Sequence, residues 1–105
     1  MRFMRVMVFF DLPVKSKKDR KAYTDFRREL LKGGFVMVQY SVYSRTVKNS
    51  DDAAKYERFV ESLVPPNGSV RMMTVTEKQY ASIRIIAGER TKSENLLDTK
   101  DILEL

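Results

Sequence analysis

A chain of 105 residues with 43% hydrophobic and 32% charged content matches one ordinary globular domain and leaves little room for a second core. Its 20 Lys and Arg against 14 Asp and Glu give a net charge of +6, a balance that favours phosphate-rich partners, although charge also serves plain solubility. Cysteine and histidine are absent, which excludes disulfide frameworks, thiolate zinc centres and any triad or acid–base mechanism built on imidazole. Carboxylate chemistry with a hard cation such as magnesium is what remains for an enzyme. The longest apolar run, Val6–Phe10, is far below the roughly 20 residues that cross a bilayer. Arg2 and Arg5 lead into an aspartate and a proline instead of a secretory leader, so a cytoplasmic protein is expected.

Residues 2–10 are dense in Met, Val and Phe, and Asp11, Leu12 and Pro13 close them, as expected of a first strand running into a loop. Both its even positions (Met4, Val6, Val8, Phe10) and its odd ones (Phe3, Met7, Phe9) are apolar, so each face requires cover. The protein's own helices cover one face in a domain this small; the other is a candidate for burial against a second copy. Ser16 with Asp19 forms a capping-box start, and Gly33 with Gly34 a stop, for a first helix. Its core stripe is Ala22, Tyr23, Phe26 and Leu30, opposite a basic stripe of Lys17, Lys21, Arg28 and Lys32.

Residues 35–47 exceed a typical strand and divide into two antiparallel strands reversing near Gln39–Ser41. Asn49 and the acids Asp51 and Asp52 open a second helix burying Ala53, Tyr56, Val60 and Leu63, which Pro65 and Pro66 end. Asn67 and Gly68 turn the chain into a fourth strand over Val70–Thr76. Glu77–Ser82 reads as a helical turn, Ile83–Ala87 as a short strand, 88–95 as a polar loop and 96–105 as a tail strand able to pair with a partner's sheet edge. The order strand, helix, strand, strand, helix, strand predicts an α+β, ferredoxin-like domain over residues 1–87, with 88–105 as a loop and tail exchanged with or packed on a partner.

Asp11, at the end of an apolar strand, is either an Asx-type cap for the loop before Pro13 or a metal ligand. One carboxylate holds Mg²⁺ poorly and no second acid is local, but a two-fold dimer across the first strand brings two Asp11 side chains together. Lys15, Lys17, Lys18, Arg20 and Lys21 crowd the following loop and helix start, where free N–H groups add to a phosphate cradle. Arg28 lies on the helix stripe, and Arg84, Arg90 and Lys92 form a further basic group. Phe9, Phe10, Tyr40 and Tyr43 are either core residues or platforms for stacked bases.

Three stretches, Phe9-Phe10-Asp11-Leu12-Pro13, Val38-Gln39-Tyr40-Ser41-Val42-Tyr43 and Thr74-Val75-Thr76-Glu77-Lys78-Gln79-Tyr80, resemble the CRISPR-associated protein 2 family, and the resemblance covers nearly the whole chain. The first and third resemble type II systems in particular. This implies a ferredoxin-like homodimer in CRISPR spacer acquisition, an antiviral defence function. Asp11 then corresponds to the family's metal-binding catalytic residue, with Mg²⁺ or Mn²⁺ as cofactor. The family's described roles are a metal-dependent endoribonuclease or deoxyribonuclease, a hydrolase, and a non-catalytic spacer that lays double-stranded DNA on a basic surface and bridges two dimers of the integrase subunit. Implied nucleic-acid contacts are Lys15, Lys17, Lys18, Arg20, Lys21, Arg28 and Arg84, and a type II effector nuclease is a further implied companion. Phe10 stands where many members outside type II carry tyrosine. A toxin-like ribonuclease of the same fold is the remaining alternative.

Overall fold

The computed structural model describes residues 3–88, and in these each predicted helix begins where its capping residues place it. Ser16 caps α1 (Lys17–Lys32): its hydroxyl accepts from the Asp19 N–H at 3.0 Å while the Asp19 carboxylate accepts from the Ser16 N–H. Gly34, at φ +88°, turns the chain out of this helix, and the Phe35 N–H reaches back to the Leu30 carbonyl at 3.0 Å. Asn49 caps α2 (Ser50–Leu63) through the Asp52 N–H. Thr76 and Gln79 form a second capping box at α3 (Glu77–Ala81).

Four strands form one sheet: β1 (Met4–Asp11), β2 (Val36–Gln39), β3 (Val42–Val47) and β4 (Ser69–Thr76), in the order β2-β3-β1-β4 with every neighbour antiparallel. This is the ferredoxin-like arrangement expected. The β2–β3 reversal falls on Tyr40 and Ser41, with a register shift between Met37 and Gln39 and Ser41 at φ +64°. In β1 the even residues point to α1 and α2. Val6 and Val8 are fully buried there, and Phe10 packs edge-on against Phe26 at 5.1 Å and stacks on Tyr43 at 5.6 Å. Phe35, Val47, Ala53, Val60 and Leu30 complete this core.

The opposite face carries the odd residues of β1. Arg5 is buried there because Glu77 pairs with its guanidinium and the Tyr80 ring lies 3.8 Å beneath it, which docks α3 at the Met4 end of the sheet. Beyond α3, Phe3, Met73, Ile83, Ile85 and Ile86 remain exposed on or beside this face. The predicted strand over Ile83–Ala87 does not form: Ile83 continues the helical turn by donating to the Tyr80 carbonyl, and 83–88 finds no strand to pair with among the described residues. The predicted loop from residue 89 and the tail strand 96–105 lie outside the described residues. Among the described residues no helix is long and apolar enough to cross a membrane.

Ser44 is fully buried between Met7 and Val36, and its hydroxyl has no hydrogen-bond partner among the described residues. A buried hydroxyl without an acceptor costs free energy that an apolar group of similar size avoids. Ser44→Ala is therefore expected to leave stability unchanged or raise it by up to about 1 kcal/mol in urea unfolding. A loss above that value would show that the hydroxyl has a partner in solution.

Candidate nucleic-acid interface around Asp11

Three contacts fix the Asp11 end of β1. The Phe10 N–H donates to the Ser41 carbonyl at 3.0 Å, which ties the β2–β3 turn to the residue before Asp11. On the other side Asp11 is in register with Ser69. Gly68, at φ +102°, brings the α2–β4 turn so close that a Cβ there would lie 2.8 Å from the Asp11 carbonyl and 2.7 Å from the Leu12 side chain. Leu12 is buried and anchors the start of the loop.

Strand alternation places Asp11 on the face opposite α1 and α2, beyond Phe9. Its side chain is exposed and makes no hydrogen bond or ion pair with the described residues, so it is not the Asx-type cap that the sequence left open. Among the described residues no three acidic, histidine or cysteine side chains gather in one place. The described residues of one chain therefore offer a divalent cation no ligand cluster, and Asp11 is an exposed carboxylate without a partner among them.

The basic residues divide into two groups. Lys15, Lys17 and Lys18 are exposed and form no ion pair with the described residues. Lys21 and Arg28, by contrast, share Asp25, each at 2.8 Å, and Lys32 lies 3.7 Å from Glu29. The hydrogen bond and charge of Lys21, followed by those of Arg28, lower the pKa of the Asp25 carboxyl from its ordinary value. These pairs persist at neutral pH and are lost only as the pH falls through that lowered value. The basic stripe of α1 is thus partly neutralised by Asp25 and Glu29, whose i+3 and i+4 spacings were readable in the sequence. Arg20 turns to its own loop, donating to the Val14 and Lys15 carbonyls. Arg84 is exposed and follows α3, which docks at the far end of β1 from Asp11.

One exposed residue near Asp11, Arg71, is absent from the contacts expected from the sequence. Arg71 is in register with Phe9 on the face that Asp11 shares, a placement that the alternation Ser69, Arg71, Met73 would have given. Tyr40, 86% exposed on the turn that holds Phe10, is no core residue, whereas Tyr43 and Phe10 are.

Comparison with known proteins decides the family. The family described as CRISPR associated protein Cas2 matches residues 4–83. The chain belongs to that family. A protein of Acidovorax ebreus is 53% identical over 85 residues, spanning 81% of this chain and 83% of that protein. One from Treponema denticola is 50% identical over 93 residues (89% and 91%). A third, from Lacticaseibacillus rhamnosus, is 43% identical over 98 residues (93% and 95%). Each of these relatives is named a CRISPR-associated endoribonuclease Cas2.

Gly68 generates a test of how Asp11 is placed. Gly68→Ala meets backbone at both a positive φ and a 2.8 Å approach, so it is expected to cost more than about 1 kcal/mol. Denaturant unfolding measures that cost, and amide chemical shifts of Asp11 and Leu12 should move with it. An alanine variant with wild-type stability and shifts would contradict the close packing.

Proposed function

We propose that this protein is the small, non-integrase subunit of CRISPR spacer acquisition. In this reading two copies dimerise across the sheet face that carries Asp11, and the dimer binds duplex DNA through its basic surfaces and bridges two dimers of the integrase subunit. Membership of the family supports the CRISPR setting. The observation that carries the DNA-binding role is the contrast around Asp11: Lys15, Lys17 and Lys18 form no ion pair with the described residues and stand near a carboxylate that belongs to no cluster of three ligands among them. Such a surface attracts phosphates more readily than it performs hydrolysis. The exposed apolar residues Phe3 and Met73 support cover by a second copy. Similarity of Phe9–Pro13 and Thr74–Tyr80 to type II systems adds a type II effector nuclease to the proposed partners.

A second reading is a metal-dependent endonuclease, favoured by the names of the relatives and by the exposed, untied carboxylate of Asp11. In this reading the partner copy supplies a second acid for Mg²⁺ or Mn²⁺, because the described residues of one chain hold no cluster of three ligands.

A spacer-acquisition assay separates the two. Asp11→Ala is expected to preserve acquisition, while charge reversal at Lys17 and Lys18 abolishes it; the opposite ranking favours the nuclease. For the nuclease, purified protein with Mg²⁺ must cut RNA or duplex DNA and Asp11→Asn must not. A further expectation concerns Asp25. Asp25→Asn releases Lys21 and Arg28, so duplex binding should tighten about two- to fivefold near 0.1 M salt and the gain should fade at higher salt. Unchanged binding would place the α1 stripe outside the interface.

A further inference from the structure

We infer that Arg20 is a positioning residue of the DNA surface, not one of its phosphate contacts: it clamps the loop after Asp11 so that Lys15, Lys17 and Lys18 are presented in a preformed arrangement. The inference rests on the duplex-binding role proposed above. Its basis is geometric. One terminal nitrogen of Arg20 donates to the Val14 carbonyl at 3.2 Å and to the Lys15 carbonyl at 2.9 Å. The Arg20 backbone N–H donates to the Ser16 carbonyl at 3.0 Å, and the Ser16–Asp19 box closes the same turn.

Little else holds this segment. Leu12 is the last buried residue before α1, Pro13 is half-buried, and Val14 projects its side chain into solvent. Without the clamp, residues 14 and 15 have no core contact and no other backbone partner among the described residues. Binding would then have to order them, which weakens affinity without removing any lysine. A charge that donates to its own loop's carbonyls from five and six residues away acts first on backbone geometry.

The test compares Arg20→Ala with Lys17→Ala and wild type in two measurements. Duplex DNA affinity is measured across 50–200 mM salt, because loss of one phosphate contact lowers the slope of log K against log salt by about 0.9. Cleavage after Lys15 by a lysine-specific protease is followed by mass spectrometry; this protease cannot cut at Arg20, so the substitution removes no site. The expected result for Arg20→Ala is about tenfold weaker binding at an unchanged slope, with cleavage after Lys15 about tenfold faster. Lys17→Ala should lower the slope and leave cleavage after Lys15 unchanged. A slope lowered by about 0.9 in Arg20→Ala, with wild-type cleavage, would make Arg20 a direct phosphate contact and overturn the inference. Wild-type affinity despite faster cleavage would overturn it too. If wild type and Lys17→Ala bind equally and without salt dependence, the DNA-binding role itself fails, and the protease result alone reports whether the clamp exists.

Discussion

β1 is hydrogen-bonded along both edges and packed on both faces, and this double constraint determines where every other element lies. Antiparallel pairing with β3 and β4 fixes its neighbours, while Val6, Val8 and Phe10 on one side and Met7 on the other are removed from water. Burial of each such side chain contributes about 1.5–3 kcal/mol. A slip of one residue would turn Arg5 and Asp11 toward the helices and Val6 and Val8 away from them. That exchange would turn a lone carboxylate toward the helices and take Val6, Val8 and Phe10 out of the core, so the register is strongly specified. The position of Asp11 at the strand's end follows from it.

Two arginines translate this sheet into a three-dimensional fold. On the face of α1 and α2, Arg45 donates to the Gly33 carbonyl at 3.0 Å and lies 3.8 Å over the Tyr56 ring, joining the end of α1 to α2. On the other face Arg5 joins Glu77 and Tyr80 and so places α3. Each guanidinium sits on a strand and stacks on one aromatic ring; Arg5 pairs with Glu77, while Arg45 divides its donors among Gly33, Thr46 and the Tyr56 hydroxyl. Arg5 is buried and needs its pairing with Glu77, and half-buried Arg45 needs its three oxygen acceptors, so both arginines restrict which helix arrangement the sheet accepts.

The sequence showed the elements wherever local chemistry decides them. Ser16, Asn49 and Thr76 begin helices because their oxygens satisfy N–H groups within three residues, a distance at which sequence and space coincide. Ile83–Ala87 misled because β-branched residues favour a strand, while the described residues offer this segment none to pair with. The α1 stripe misled differently: sorting lysines and arginines by helical angle showed one sign, while Asp25 and Glu29 lie beside them and neutralise part of it. Tyr40 and Tyr43 are the same residue type three positions apart, yet one is exposed on a turn and the other is fully buried opposite Val8. Only the place of the reversal separates them. Whether Arg20 faces solvent or its own loop is likewise invisible to composition, because it depends on two carbonyls whose direction the loop itself sets.

The starts of the two long helices differ in charge. α2 opens with Asp51 and Asp52, the charges that a helix N-terminus favours. α1 opens with Lys17 and Lys18, the charges it disfavours, and only Asp19 in its first turn opposes them. Stability alone gives no reason for this difference, since neither lysine packs in the core or pairs with an acid among the described residues. Exposed N–H groups, a positive helix end and two unpaired ammonium groups reinforce one another only when an anion lies before them. The capping box and the Arg20 contacts hold together a helix start that its own charges oppose, and the duplex proposed above would relieve that repulsion.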